Sequence, residues 1–150
     1  MSILVIQDNK KARFDYEILE VIEAGIVLMG SEVKSLRDKN IQLKDSYVSF
    51  SDGEAFLQNA HISPYQASSY NNHAPERLRK LLLNRKEINQ LMGKVQERGL
   101  SVVPLKIFFK KGLVKLDLGL VRGKKTHDKR QSIKERESNK SLKQTLRHSR

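Results

Sequence analysis

The last 28 residues of the chain, numbered 123–150, contain almost no side chains that could form a core. They include ten Lys or Arg, three Asp or Glu, and only one isoleucine and two leucines as large apolar residues. So few apolar side chains cannot offset the entropy that ordering would remove, and the segment is therefore predicted to be disordered on its own. We predict a folded domain over residues 1–122, enough chain for one core, followed by a flexible basic tail over residues 123–150.

The positive charge of the chain is concentrated in this tail. The whole chain has a formal net charge of +12, and the tail, under a fifth of the length, contributes +7 of it. Tails of this charge density commonly bind nucleic acid, although a solvated tail that only improves solubility is the simpler alternative. A membrane is disfavoured as the partner, because the chain has neither a run of about 18 apolar residues nor a strong amphipathic helix.

The residues that most enzyme classes need are missing or badly spaced. The chain contains no Cys, which excludes disulfides, thiolate catalysis and Cys-based zinc sites and is consistent with a reducing cytosol. The four histidines lack metal-ligand spacing, and no glycine-rich phosphate loop or Gly-x-Ser-x-Gly motif occurs. We therefore expect no catalytic residue, no metal site and no cofactor. His127 could stack on a nucleobase; a ribonuclease that uses it as general acid or base is a disfavoured alternative.

The first half of the chain predicts short strands. Apolar and polar residues alternate from Phe14 to Ile18, and the phase of the alternation slips at Leu19, which indicates a β-bulge. We interpret Glu23-Ala-Gly25 as a tight turn that precedes a short strand at Ile26–Met29. Asp52-Gly53, between two alternating runs, predicts a β-hairpin.

The second half of the chain predicts one firm helix and a pair of strands. Asn84 begins a capping-box pattern, the apolar residues that follow it fall on one helical face, and Gly99 has the position of a helix C-cap. Leu100–Lys110 and Val114–Leu120 then alternate as strands. Pro104 within the first of them predicts an edge strand or a bulge.

These elements predict a mainly β fold. Strand pairs joined by tight turns indicate antiparallel pairing, and a small closed barrel is economical because closure removes the exposed sheet edges. The predicted fold is therefore a small antiparallel β-barrel with accessory α-helices and a disordered basic C-terminal tail. An open antiparallel sheet with helices on one face is the alternative.

Several blocks of the chain together resemble one family, the SmpB family of bacterial tmRNA-binding proteins. The matching blocks keep their order and spacing from about Asn9 to Glu137. They are Ile22–Gly25, Gly30–Arg37, Asp45–Val48, Asp52–Ala55, Arg79–Asn84, Gly123–Arg130 and Ile133–Arg136. The chain departs from the family at Ser138, where the family often has an aromatic residue.

The resemblance implies both a fold and a function. The implied fold is a barrel of the oligonucleotide-binding (OB) type. The implied function is that of a cytoplasmic adaptor, not an enzyme, which binds the tRNA-like domain of tmRNA and delivers it to stalled ribosomes for trans-translation. The implied ribosomal partner is 16S rRNA at the decoding centre and the mRNA channel. Elongation factor Tu and alanyl-tRNA synthetase would be indirect partners through tmRNA.

The resemblance also implies two sets of site residues. Glu23, Leu82 and Asn84 match the family's RNA-contact motif. The residues that match the segment for the decoding centre and the mRNA channel are Gly123, Lys124, Lys125, His127, Asp128, Lys129, Arg130 and Ile133. Leu82 could instead be a core residue. Asn84 could be a helix cap, a role that uses its side-chain oxygen and leaves the amide donors free for RNA.

A different function remains open from the residues alone. The chain could be a general single-strand RNA-binding chaperone of the same barrel type, with no role on the ribosome. Such proteins usually expose aromatic side chains on which bases stack. Phe and Tyr together number nine in this chain, and several of them fall in apolar alternation, which disfavours an exposed stacking surface.

Overall fold

A computed structural model of the chain describes residues 3–65 and 72–123. Within these ranges the chain forms nine strands and three helices. In chain order they are β1 (Ile3–Asp8), α1 (Lys10–Asp15), β2 (Tyr16–Ile26), α2 (Gly30–Arg37), β3 (Ile41–Gln42), β4 (Tyr47–Ser51), β5 (Glu54–Gln58), β6 (His61–Ile62), β7 (Arg79–Leu82), α3 (Arg85–Arg98), β8 (Ser101–Lys110) and β9 (Leu113–Gly123).

Seven strands form one antiparallel sheet in the order β1-β8-β9-β2-β7-β5-β4, and β3 pairs with β6 separately. The prediction of a mainly β, antiparallel fold with few helices is confirmed. No ladder joins the edge strands β1 and β4 within the described residues, so the sheet is not closed there. Strand β4 lies against β8. A cleft of about 420 Å³ lies beside this contact and is lined by residues of both strands, Val48 of β4 and Val102 of β8 among them.

The segment that follows β1 differs from the prediction, because it forms the helix α1. Asn9 caps α1, because its side-chain oxygen accepts a hydrogen bond from the Ala12 amide at 3.2 Å, and the strand therefore begins at Tyr16 and not at Phe14. The predicted turn at Glu23–Gly25 is wrong. Strand β2 continues through it, because Glu23 pairs with Asp117 and Gly25 pairs with Lys115 and with Leu82.

Other local predictions are confirmed. The register of β2 shifts between Ile18 and Glu20, where the bulge was predicted. Strand β8 carries a second irregularity after Pro104. Asp52 and Gly53 turn the β4–β5 hairpin with positive φ. Helix α3 begins with the capping box of Asn84 and Glu87 and ends at Gly99, whose φ is 64°.

The two faces of the sheet are covered unequally. The inner face holds the main core, into which β9 contributes Leu116, Leu118 and Leu120 and α3 contributes Ile88 and Leu91. The opposite face, here called the outer face, carries a smaller cluster at one end, where Ala12 of α1 packs with three buried side chains. These are Val103, Leu105 and Val121.

A buried ionic network fastens α2 to β7 on the inner side. The Glu32 carboxylate accepts hydrogen bonds from Arg79 Nε at 2.7 Å, from Arg77 Nη2 at 2.6 Å and from the Met29 amide at 2.8 Å. Arg79 also donates to the backbone carbonyls of Ala60 and Pro75. Glu32 and Arg79 are both 0% exposed, so the network replaces all of the water that these two charges would otherwise bind.

Gly119 on β9 makes room for Leu105, which the β8 bulge places against it. A Cβ at position 119 would lie 2.8 Å from Leu105 Cδ1 and 3.0 Å from Cγ. We expect Gly119→Ala to lower the free energy of unfolding by about 1–3 kcal/mol, because the buried leucine must move out of its packing position. Urea denaturation measures this change.

The matched control for this prediction is Gly93→Ala. Nothing lies within 4 Å of a Cβ at position 93, and the residue is inside α3. That variant should gain up to about 1 kcal/mol from helix propensity. A destabilised Gly93→Ala, or an unchanged Gly119→Ala, would contradict the packing argument.

Candidate RNA interface

The part of the outer face away from α1 is open to solvent and is built by β8, β9, β2 and β7. Residues directly opposite each other on paired strands point to the same side of the sheet. Glu23 lies opposite Asp117, and Gly25 lies opposite Lys115 on one side and Leu82 on the other. The register therefore puts the first two predicted RNA-contact residues, Glu23 and Leu82, on one face.

Glu23 is surrounded by lysines. Lys110 Nζ donates to its Oε1 at 3.1 Å, and Lys115 Nζ lies 3.9 Å from its Oε2. Next to this trio, Lys106 Nζ lies 3.7 Å from Asp117 Oδ2. Lys106, Lys110 and Lys115, here called the outer-face lysines, outnumber the two carboxylates. The surface around Glu23 therefore has a net positive charge, which suits a polyanion.

Leu82 is an exposed residue and not part of the core. Its side chain is 53% exposed, so the core alternative for this position is wrong. It lies across Gly25, where an added Cβ would approach Leu82 Cβ and Cδ1 to 3.3 Å. The glycine thus lets an apolar side chain lie close to the backbone of β2. Leu82 is a diagonal neighbour of Glu23, on the order of 7–8 Å away.

Asn84 occupies the junction between β7 and α3. Its Oδ1 accepts from the Glu87 amide at 2.9 Å, and Glu87 Oε1 accepts from the Asn84 amide at 3.1 Å, so the predicted cap is confirmed. Within the described ranges its Nδ2 has no hydrogen-bond partner, and the residue is exposed. The side chain can therefore cap the helix and donate to a ligand simultaneously.

A shallow depression lies beside Leu82. It measures about 410 Å³ and separates the turn of the β4–β5 hairpin from the start of α3. Lys80 and Arg85 contribute cationic groups to its lining, and Lys80 pairs with Glu54 at 3.0 Å. The depression extends the positively charged surface from the outer face towards Asn84.

The aromatic residue at the centre of the outer face is covered. Phe108 lies opposite Lys115 yet is only 2% exposed, and Lys106 Nζ stands 5.6 Å from its ring centroid. A ring in this position cannot stack on a base. The open part of the outer face therefore combines charged groups with exposed apolar side chains, namely Val21, Leu82 and Leu113. Its charged groups suit recognition of a folded RNA by its backbone.

The predicted tail residues lie mostly outside the described ranges. Gly123 is the last residue of β9 and pairs with Tyr16, so this position belongs to the sheet. The others are Lys124, Lys125, His127, Asp128, Lys129, Arg130 and Ile133, and all of them lie beyond residue 123. Their predicted role stays a prediction.

Sequence reasoning missed the outer-face lysines. The sequence did contain a pattern that indicates them. Lys106, Phe108 and Lys110 are alternate residues of β8 and so lie on one side of that strand, as Lys115 and Asp117 do on β9. This alternation does not reveal which strand pairs with β9, so it could not show that the lysines lie close to Glu23.

The two histidines of the described ranges, His61 and His73, contact other residues of the fold. The Nε2 of His73 lies 2.8 Å from the Ile62 carbonyl and its Nδ1 lies 2.9 Å from Ser31 Oγ, whereas His61 lies near Glu76. Across residues 3–65 and 72–123, no three His, Asp or Glu side chains are grouped as metal ligands. None of the helices in the same ranges is long and apolar enough to cross a membrane.

Comparison with known proteins finds relatives over nearly the whole chain. The family described as "SmpB protein" matches residues 6–148. An "SsrA-binding protein" of Bdellovibrio bacteriovorus is 60% identical over 149 residues, which cover 99% of this chain and 98% of the relative. Another, of Syntrophobacter fumaroxidans, is 60% identical over 138 residues, covering 92% of this chain and 86% of the relative.

A solved structure is similar as well. It is described as "tmRNA-SmpB: a journey to the center of the bacterial ribosome", and one of its chains matches with a TM-score of 0.69 and 49% sequence identity. The match covers 85% of this chain and 93% of that chain. Sequence and fold therefore point to the same group of relatives.

Proposed function

This chain belongs to the SmpB family, and from that membership we propose that it is an RNA-binding adaptor of ribosome rescue. It binds the tRNA-like domain of tmRNA and delivers it to stalled ribosomes for trans-translation. The observation that carries the proposal is the outer face, where the sheet register brings Glu23 and Leu82 together on a positively charged surface that continues towards Asn84.

The proposed RNA contacts follow from the chemistry of the three motif residues. The Glu23 carboxylate accepts hydrogen bonds from base amino groups or ribose hydroxyls, and the free Nδ2 of Asn84 donates to an RNA acceptor. Leu82 presents an apolar surface between them. Because these groups stand on paired strands and on a capped helix, they are held in place before RNA arrives, which reduces the entropic cost of binding.

The proposed fold class is the OB-type barrel. What supports it is the position of β4 against β8, which turns the sheet back on itself although no ladder joins its two edge strands. In such a barrel the outer face is convex and accessible, as a surface that binds a structured RNA must be.

The proposed role of the tail is to bind 16S rRNA in the decoding centre and the empty mRNA channel. The residues that matched the family segment there would neutralise rRNA phosphates and release counterions. A channel filled by mRNA excludes the tail, so the tail would test whether the channel is vacant. We also propose that the protein acts in the cytoplasm, makes no covalent bonds itself, and meets elongation factor Tu and alanyl-tRNA synthetase only through tmRNA.

A competition experiment tests the proposed function. Labelled tRNA-like domain of tmRNA is bound to the full chain, and unlabelled tRNA-like domain, bulk tRNA or oligo-U is added. We expect only the first to compete efficiently. Equal competition by oligo-U or bulk tRNA would favour the general single-strand RNA chaperone instead.

The double role of Asn84 leads to a specific prediction. Asn84→Ser keeps an oxygen that caps α3 but removes the amide donor, so we expect RNA affinity to fall by about 1–3 kcal/mol with little change in stability. Asn84→Ala should lose the same affinity and also about 1 kcal/mol of stability. Gel shifts and urea denaturation measure the two effects. Full RNA binding by the serine variant would limit Asn84 to its role as a cap.

A further inference from the structure

Gly25 stands in β2 at a place where a glycine weakens the sheet. It is paired on both sides, with Lys115 of β9 and with Leu82 of β7. A glycine inside a sheet costs stability, because it loses more conformational freedom on folding and has no side chain to pack. Its backbone does not require glycine, since Gly25 is not among the described glycines that have positive φ. The reason for a glycine here therefore lies in the side chains around it.

The space beside Gly25 is taken by Leu82. An added Cβ at position 25 would lie 3.3 Å from Leu82 Cβ and 3.3 Å from its Cδ1. Residues directly opposite each other on antiparallel strands ordinarily have Cβ atoms about 4.5–5.5 Å apart. Leu82 thus comes closer to β2 than it could if position 25 carried a side chain.

The next pair along these two strands holds β7 in its place. Ile26 lies opposite Leu81, and both side chains are buried in the main core. A side chain at position 25 would therefore push the side chain of Leu82 outward before it moved the strand. Leu82 yields easily, because it is 53% exposed.

Gly25 and Gly119 both face a leucine, but the two leucines differ. Leu105, beside Gly119, is 1% exposed and belongs to the smaller cluster of the outer face, so that glycine serves packing. Leu82 is half exposed and contributes far less to packing. Gly25 itself is buried, although it lies on the outer face, because Leu82 covers it. A ligand at this face therefore meets Leu82 and not the bare backbone of β2.

We propose that Gly25 is a positioning residue for RNA recognition, which holds the side chain of Leu82 close to the backbone of β2 and beside Glu23. This inference rests on the proposed function, since it explains how one contact of the same site is placed. With Leu82 held close to the sheet, the RNA touches its apolar surface and the Glu23 carboxylate together. The placement exists before RNA arrives, so binding does not have to immobilise a half-exposed leucine.

Gly25→Ala separates this role from a role in stability. We expect the affinity of the full chain for the tRNA-like domain of tmRNA to fall about two- to tenfold, the range that corresponds to immobilising one side chain. The urea midpoint should stay the same or rise, because alanine is the better residue inside a strand. Gel shifts and urea denaturation measure the two quantities. Unchanged affinity would overturn the proposal, and a midpoint that falls together with the affinity would assign Gly25 to packing instead.

Gly30→Ala is the matched control. Gly30 lies shortly after β2, at the start of α2, and nothing lies within 4 Å of a Cβ added there. The substitution removes the same backbone freedom from the chain but leaves Leu82 in place, so the RNA affinity should not change. An equal loss of affinity in Gly25→Ala and Gly30→Ala would show a general effect of stiffening this segment and overturn the assignment.

Two further measurements test whether Gly25 acts through Leu82. In a Leu82→Ala background, Gly25→Ala should cause little further loss of affinity, because the side chain that it displaces is absent. The same loss in both backgrounds would mean that the RNA contacts position 25 directly, which contradicts the proposal. In the free protein, the carbon chemical shifts of the two Leu82 methyl groups report its rotamer and should change in Gly25→Ala. Unchanged shifts would show that Leu82 is not displaced and would also contradict the proposal.

Failure of this inference differs from failure of the proposed function. If the wild-type chain shows no preference for the tRNA-like domain over bulk tRNA, the proposed function itself fails. A preserved preference, with Gly25→Ala binding as tightly as the wild type, overturns only the role of Gly25.

Discussion

Glu32→Gln is expected to lower the free energy of unfolding by about 3–5 kcal/mol. The substitution leaves the guanidinium of Arg79, which is 0% exposed, without a balancing charge. It also replaces a carboxylate that accepts from Arg77, Arg79 and the Met29 amide with an amide whose NH₂ group faces cations. Since domains of this size are stable by about 5–15 kcal/mol, this loss is a large fraction of the total. Urea denaturation at neutral pH measures it.

The same network makes stability depend on pH. Burial raises the pKa of Glu32, but the hydrogen bonds from Arg77, from the Met29 amide and from Arg79 outweigh it and hold this pKa below its ordinary value. A lowered pKa in the folded state contributes stability above the unfolded pKa of about 4.3, and that contribution disappears as the pH falls through the folded pKa. The wild type should therefore lose stability below about pH 4, and Glu32→Gln should lose less over that range.

The control for the expected loss of stability in Glu32→Gln is Glu54→Gln. Glu54 pairs with Lys80 at 3.0 Å, but both side chains are 46% exposed. Removing an exposed pair should change stability by about 1 kcal/mol or less. Equal effects of the two substitutions would show that burial of Glu32 does not determine the energetics of its network.

Truncation after Gly123 is expected to abolish tagging of nascent chains on stalled ribosomes while the tRNA-like domain of tmRNA remains bound. The motif residues Glu23, Leu82 and Asn84 all lie in the described domain, and Gly123 is kept because it pairs with Tyr16 in the sheet. The deletion removes ten Lys or Arg. Some loss of salt-dependent affinity for any RNA is therefore expected. Gel shifts and a tagging assay on ribosomes without a stop codon measure the two functions separately.

A shorter truncation, after Glu137, serves as the comparison for the tail. It keeps every tail residue that matches the family's segment for the decoding centre and the mRNA channel, and it removes only residues 138–150. We expect this variant to retain part of the tagging activity. If truncation after Gly123 removes RNA binding and the isolated tail retains it, the assignment of the two functions to domain and tail is wrong.

Local features were predictable from the residues because their causes are local. Helix α3 follows from the Asn84 cap, the apolar spacing after it and Gly99, all within one segment. The β2 bulge follows from a slip in alternation, which changes the face that each side chain occupies. Strands β1 and β7 were not predicted, because what determines them is not local. These strands have partners far away in the chain, and their own short patterns do not distinguish them from loops.

The predicted turn at Gly25 shows where local reasoning fails. Glycine is common both in turns and at points where another chain segment approaches the backbone closely. Here the second reason applies, because Leu82 lies against Gly25. The choice between the two depends on a residue that is not a neighbour in sequence.

Composition, charge and periodicity were enough to predict a small antiparallel β domain with a basic tail, and to favour a nucleic acid as its partner. The resemblance to the SmpB family added the three candidate contact residues. The arrangement of those residues came from the sheet register, which joins Glu23 to Lys110, 87 positions apart, and from packing, which buries Glu32 against Arg79, 47 positions apart. Such contacts depend on how separate segments dock as the core closes, and no window of local sequence contains both partners.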